Sequence, residues 1–366
     1  MPKMINILSI LSLVVFVVVI DSNDKYSCPS NHFFIYPCRC LDGNYKGLVV
    51  NCSEANIAMI SLGLSNIKSP IDVLSISDSN ISHLFGPLFK GQTIYNLKIL
   101  NSSIETIDEH VLTPISKKLQ SLSLIGNNLK KIPESVVNKL LNLTKLVISR
   151  NKNLIEVKNN AFNKLSNLVE LDLSDNSIKK VESNALTGLS ALETLYLNSN
   201  KLSKIEKNLF RNLKKLKTLD LSHNDFKEIG KSDFNDLTQI ISLNISHNQV
   251  SELPRSLFAR SSQLKTLNLS YNRLKEIDTY MLRGVRFLKE FFVRGNDITQ
   301  VARNSFSSTT RIKAIDLAEN QMEVLDSETF KEMQWLDKLD LSSNKITTVS
   351  KGAFQKMFQV YSLKEN

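Results

Sequence analysis

The chain has 366 residues, with 46 Lys and Arg against 36 Asp and Glu, for a formal charge of +10. At 42% hydrophobic and 22% charged it is not an intrinsically disordered chain, and its 11 glycines exclude a collagenous or glycine-linker protein. It contains 53 Leu and 37 Asn. That excess marks a repeat that places both residues at fixed positions, and at this length an elongated array or two domains is expected rather than one compact core.

Residues 1–22 read as a secretory signal. Lys3 supplies the positive start, an apolar run extends from Ile7 to Ile20 broken only by Ser9 and Ser12, and Ile20-Asp21-Ser22 is a poor cleavage site. A spanning anchor needs about 20 apolar residues, more than this run supplies. Residues 23–70 then hold all four cysteines, Cys28, Cys38, Cys40 and Cys52. An even number behind a signal peptide implies disulfides formed in an oxidising compartment. Zinc is the rival, but it normally takes two close pairs, and Cys-x-Cys flanked by long gaps does not provide them. Four cysteines allow three connectivities, and spacing does not choose among them.

From residue 71 to 366 one phrase recurs, Leu-x-x-Leu-x-Leu-x-x-Asn-x-Leu-x-x-Ile. Its Asn slot falls at Asn127, Asn151, Asn176, Asn200, Asn224, Asn248, Asn272, Asn296, Asn320 and Asn344, and the step is constant from Asn176 onward. Two earlier units carry Ser79 and Ser102 in the slot, so about twelve repeats are expected. A truncated thirteenth begins with Phe358, Tyr361, Leu363 and Asn366 and stops inside the unit, as in a fragment or a truncated gene product. Leu-x-Leu has period two, which points its leucines to one side of a short strand. Parallel strands then stack about 4.8 Å apart. The slot Asn can bond backbone groups that no strand satisfies. A second apolar position precedes each Asn at a fixed interval, at Phe162, Leu186, Phe210, Phe234, Phe258, Leu282, Phe306 and Phe330, and should fill the wider convex side of the core. No single repeat can bury its apolar face alone.

This pattern resembles the leucine-rich repeat family, in its typical extracellular subfamily with Toll-, Slit- and chaoptin-like repeats. The resemblance covers residues 70–366. It implies an α/β solenoid: a horseshoe with a parallel sheet on the concave face and short irregular or helical convex segments. The cysteine segment, Cys28-Pro29 … Tyr36-Pro37-Cys38-Arg39-Cys40 … Cys52, resembles the family's N-terminal cap, which covers the open apolar end of the solenoid. In the family the first cysteine pairs with the third and the second with the fourth. That implies Cys28–Cys40 and Cys38–Cys52 here. The spacing is similar to an arthropod group named for the non-catalytic subunit of the Oplophorus luciferin 2-monooxygenase.

No phosphate loop, His-Glu-x-x-His or Gly-x-Ser-x-Gly occurs, and no catalytic residue, cofactor or metal is expected. His223 and His247 precede slot asparagines one repeat apart, which stacks them at about 5 Å. They are either a weak metal or pH-sensitive pair or occupants of a variable exposed slot, which also holds Arg150, Asp175, Ser199, Tyr271 and Gly295. Trp335, on the turn into a strand, is expected to pack.

Ligand-binding residues are expected on the concave face, at the three positions that alternate with the strand leucines. Such triplets include Glu170, Asp172 and Ser174; Thr218, Asp220 and Ser222; Ala314, Asp316 and Ala318; and Lys338, Asp340 and Ser342. Tyr196, Phe292 and Arg294 are the residue types that dominate binding hot spots. From residue 73 to 364 these positions carry six acids against five bases, so the face is close to neutral and the excess lysines sit on turns and the convex side. Six sequons, at Asn51, Asn80, Asn101, Asn142, Asn244 and Asn268, are candidate glycan sites. Glycans on Asn244 and Asn268 would obstruct the middle of the concave face.

These features point to a non-catalytic extracellular binding module or receptor ectodomain, secreted or on the outer face of the plasma membrane, with a protein ligand or co-receptor. The family offers adhesion, innate-immune, guidance and matrix roles, and fold does not choose among them. The alternatives are a scaffold or regulatory subunit of a secreted enzyme, and a polyanion such as glycosaminoglycan held weakly on a flank. No specific nucleic-acid partner is expected, nor is a membrane attachment encoded in this chain expected.

Overall fold

The structure is a computed structural model that describes residues 26–331, 333–355, 357 and 362–364. The signal reading of residues 1–22, and Phe358, Tyr361 and Asn366 of the last unit, lie outside that range. One sheet of fifteen strands organises the chain. It opens with an antiparallel hairpin, Cys38–Asn44 against Gly47–Ser53, followed by the helix Ile57–Ser65. Every later pairing in it is parallel, from Ile71–Ser77 through the repeat strands to Ser362–Lys364. The disulfides join Cys28 to Cys40 and Cys38 to Cys52, the pairing the family likeness implies. The hairpin both caps the core and contributes the sheet's first strands.

Register is kept because each repeat puts the same residue type at the same height. Leu195 pairs with Leu219, Leu219 with Leu243 and Leu243 with Leu267, and the column continues through Phe291, Ile315 and Leu339. These residues are almost fully buried. A one-residue slip would turn that whole apolar column to solvent. Behind it lies the second apolar layer. The rings of Phe210, Phe234 and Phe258 stack with centroids 6.4 and 6.2 Å apart, and those of Phe306, Phe330 and Phe354 with centroids 6.0 and 6.5 Å apart.

The slot asparagines tie each repeat to the one before. Asn224 donates from Nδ2 to its own repeat (Leu221 and Ser222 carbonyls, 3.0 and 3.1 Å) and to the Leu197 carbonyl of the preceding one (3.0 Å). Its Oδ1 accepts from the Leu202 amide (2.9 Å). The same pattern recurs at Asn200, Asn248, Asn272, Asn296 and Asn320. In the early units Ser79 and Ser102 accept from the preceding repeat with one hydroxyl each.

Among the described residues the convex side is mostly turns. After the helix Ile57–Ser65, helix is limited to Glu134–Val137 and the 3-10 turn Thr113–Ile115. Two-residue strands pair there in four places, such as Glu156–Val157 with Lys180–Val181 and Glu276–Ile277 with Gln300–Val301. Between those two sites the pairing lapses at the turns that contain Gly230 and Pro254. Proline has no amide hydrogen to continue a ladder.

Candidate binding surface

The exposed face of the sheet is narrower than the alternation predicts. From Glu170–Asp172 onward the first two outward positions of each short strand are half-buried to exposed, as at Glu170 and Asp172, Thr194 and Tyr196, and Glu290 and Phe292, whereas Ser123 and Val147 on earlier strands are buried. The third position is not reliably outward. Ser174, Ser222 and Ala318 are buried, and so are Ser149, Ser246 and Ser270. After its last apolar residue the chain already bends into the turn that carries the slot Asn, which draws this position under the sheet's edge. Asn198, Arg294 and Ser342 keep partial exposure there.

The aspartate column has a structural task besides any binding role. Asp172 accepts from the amide of Ser174 (2.8 Å), Asp220 from Ser222 (2.8 Å), Asp316 from Ala318 (3.1 Å) and Asp340 from Ser342 (3.1 Å). Asn244 and Asn268 do the same for Ser246 and Ser270. A short acceptor at this position satisfies the first amide beyond the strand, the familiar competition between Asx side chains and backbone ladders. The frequency of Asp and Asn here could have signalled that task, since both share an Oδ acceptor two positions before an amide.

Tyr196 stands between two acids, in register with Asp172 and Asp220 on the flanking strands. Its phenol is held above its ordinary pKa by burial first, and then by the charges of Glu170, Asp172 and Asp220. It is therefore a neutral hydrogen-bond donor with an apolar face. Glu170 is partly neutralised by Lys145 (2.9 Å) on the neighbouring strand. Four repeats further on, Arg294 is clamped by carboxylates of later repeats: Glu319 at 2.6 Å, and Asp316 and Asp340 each at 3.9 Å. The hydrogen bond to Glu319 first, then a hydrogen bond with Tyr271 and the charges of Asp316 and Glu319, raise the guanidinium's already high pKa against the opposing effect of burial. Burial lifts the Asp316 carboxyl above its usual range, against the opposing effects of the Ala318 amide and Arg294. Phe292 lies beside this cluster, in register with Asp316.

Asn244 and Asn268 are in register on adjacent strands between these two groups. Asn244 donates from Nδ2 to Asp220 (3.1 Å). Asn51, Asn80, Asn101 and Asn142 are exposed in the first half of the chain.

His223 and His247 stack with centroids 4.1 Å apart and planes 10° from parallel, and the stack continues to Tyr271 at 4.4 Å. Parallel imidazole planes do not converge on one ion, and among the described residues no group of three or more His, Cys, Asp or Glu is placed to hold a metal. All three rings are exposed, in the slot that adopts a left-handed backbone in repeat after repeat. His247 is held below the ordinary histidine pKa by partial burial and then by its neighbour His223. Trp335 is 55% exposed, contrary to the packing expected of it. The position before each buried strand-entry residue faces solvent, as Phe287 does at 44%.

Comparison with known proteins gives the repeat its family. The BspA type leucine rich repeat region matches residues 62–163, 84–202, 130–265 and 179–310, and a second leucine rich repeat model matches residues 310–364. The chain belongs to the leucine-rich repeat family. No curated protein matches its sequence. Solved structures share the fold. The Toll chain of a Drosophila Toll–Spätzle complex superposes at a TM-score of 0.69 with 16% identity, over 87% of this chain and 49% of that one. The TLR13–ssRNA13 complex gives 0.76 and 22%, over 86% and 50%. An internalin, InlF, from Listeria monocytogenes gives 0.63 and 20%, over 86% and 85%. This leucine-rich repeat chain thus spans about half the length of the Toll and TLR13 chains. No helix among the described residues is long and apolar enough to cross a membrane.

Proposed function

We propose that this leucine-rich repeat chain is a non-catalytic extracellular binding module or receptor ectodomain that engages a protein partner through its concave sheet. One observation carries the reading. A continuous parallel sheet presents two preorganised clusters, Tyr196 flanked by Glu170, Asp172 and Asp220, and Phe292 beside the clamped Arg294. Arg294 meets a partner with its orientation already set, so little side-chain entropy is lost on binding. Extracellular placement is supported by the two cap disulfides. Glycans on Asn244 and Asn268 would separate the clusters and direct a partner to one of them.

The test is an ectodomain–partner pair found by proximity labelling at the surface of cells that bind the purified chain. Tyr196→Ala or Phe292→Ala should weaken that interaction at least roughly tenfold, as hot-spot truncations do. Unchanged affinity in both variants would remove the concave face from the account. Peptide mapping at Asn244 and Asn268 decides the glycan question, and two unmodified asparagines would open the middle of the sheet. Copurification of a catalytic subunit would favour the scaffold role, which rests on the cap spacing shared with the luciferin-monooxygenase group.

A further inference from the structure

The edge of the sheet where the strands begin carries a row of cations. The residue before each strand is joined to its neighbours through the backbone. Lys265 donates its amide to the Ile241 carbonyl, Lys289 to Lys265, Lys313 to Lys289 and Asp337 to Lys313, each at 2.8 Å. These bonds extend the ladder beyond the strands and hold the side chains in one column at the strand spacing of about 4.8 Å. Lys265, Lys289 and Lys313 are all exposed. Arg286 and Arg311, on the turns immediately before, are exposed beside them.

Pairing leaves the centre of this row uncompensated. Lys313 meets Asp337 at 3.5 Å, but Lys265, Lys289, Arg286 and Arg311 make no ion pair among the described residues. Glu290, next to Lys289, lies on the concave strand and accepts from the Thr266 hydroxyl (2.9 Å). The overall excess of +10 therefore has a local focus on this flank, away from the near-neutral concave face. None of the six sequons lies on the turns that carry the row; the last, Asn268, is on the concave strand.

We propose that this strand-entry edge, centred on Lys265, Arg286, Lys289 and Arg311, binds a linear sulfated polysaccharide. A straight row of evenly spaced, solvated cations matches a stiff chain with regularly recurring sulfate and carboxylate groups. It recognises charge spacing without a buried apolar centre. Phe287 and Trp335 occupy one column with Arg311 between them, two repeats or roughly 10 Å apart. That interval exceeds the distance between successive stacked bases on which single-strand nucleic-acid binding depends. It does allow each ring to lie against the apolar face of a sugar. The cap disulfides also belong to a compartment where sulfated polysaccharides occur.

The probe is a heparin oligosaccharide of defined length, titrated against the purified full chain by calorimetry or surface plasmon resonance. With Lys313 joining the central four, and a slope of about 0.7 per contact as for single strands, affinity should fall roughly a hundredfold between about 50 and 200 mM salt. The variant Lys265→Ala/Arg286→Ala/Lys289→Ala/Arg311→Ala should lower the logarithmic salt slope by about 3 while its circular dichroism and unfolding midpoint stay as in the parent. Each single alanine variant should lower it by a fraction, which keeps the test valid if the quadruple variant folds poorly. Lys227→Ala/Lys275→Ala, on the convex flank, and Tyr196→Ala, in the concave cluster, should leave heparin binding unchanged. The Tyr196 arm separates failure here from failure of the protein-binding reading. The proposal is overturned by absent heparin binding at low salt, or by equal loss in the convex-flank variant. Undiminished binding of desulfated heparin, or tighter binding of a single-stranded RNA of equal charge, also overturns it.

Discussion

Replacing Asn224 with alanine tests the physical account of the solenoid directly. Asn224 is 6% exposed and sits mid-array, with intact repeats on both sides. The substitution removes the acceptor for the Leu202 amide (2.9 Å) and the donor to the Leu197 carbonyl (3.0 Å), both in the preceding repeat. It also removes donation to Leu221 and Ser222 within its own repeat. The Leu197, Leu221 and Ser222 carbonyls keep other donors, Asn200 Nδ2, Asn248 Nδ2 and the Ser199 amide, so the Leu202 amide alone is left buried without a partner, which costs about 1–3 kcal/mol. Repeat arrays couple mainly to nearest neighbours, so the loss should be local before it is global. Native-state hydrogen exchange, read peptide by peptide, is therefore the assay, with urea unfolding alongside. Protection should drop in the repeats around residues 197–226 and persist near residue 100. Asn224→Ser should cost less, because Ser79 and Ser102 show that one hydroxyl can still accept from the preceding repeat. An alanine variant within about 0.5 kcal/mol of the parent, the scatter of ordinary surface substitutions, would refute the ladder as a stabilising element.

Three further outcomes follow from the same geometry. Phe234→Ala, between Phe210 and Phe258, should destabilise by about 3–5 kcal/mol in denaturant unfolding, and Phe234→Leu by clearly less, since Leu186 and Leu282 fill the same slot elsewhere; equal losses would contradict a shape-tolerant spine. Gly295 has a φ of 65°, and a Cβ there would meet the Tyr271 ring at 2.5 Å. Gly295→Ala should thus lower the melting temperature, and Tyr271→Ser should restore most of the loss, because side-chain-bearing residues such as His247 tolerate that φ; no rescue would locate the strain in the backbone instead. His247 has a depressed pKa in the folded state, so the unfolded chain binds more protons, and stability should fall as pH drops through the unfolded histidine range near about 6.5. His247→Ser should flatten that dependence in unfolding midpoints taken on either side of that range, and an identical slope in the variant would assign it to other groups.

The concave face shows how much of the site the chain reveals unaided. Tyr196, Phe292 and Arg294 are placed correctly by period two, because a strand must alternate its side chains. Burial at Ser174, Ser222 and Ala318 was not legible, since alternation says nothing about where the backbone leaves the strand. The aspartates Asp172, Asp220, Asp316 and Asp340 read as a charged column, yet each is first a cap for the amide two positions on. A hydrogen bond of that kind depends on the turn's dihedral angles, which the residue type only permits. Trp335 was misjudged for a related reason, because a single large apolar residue on a turn carries no periodicity to show which way it faces.

Sequence alone determined the repeat length, the buried face of each strand, the asparagine slots, the phenylalanine layer and the six sequons. It could do so because a solenoid is nearly one-dimensional, and a property that recurs in every repeat is written into the chain as a period. Only the tertiary structure decided what side chains one repeat apart do to each other. It clamped Arg294 with Glu319, Asp316 and Asp340, and stacked His223, His247 and Tyr271 into one column. It also aligned Lys265, Lys289 and Lys313 along a single edge. Each repeat's outward residues vary freely, so their meaning arises only when parallel stacking brings equivalent positions of successive repeats to within one strand spacing, where Coulomb and stacking forces act.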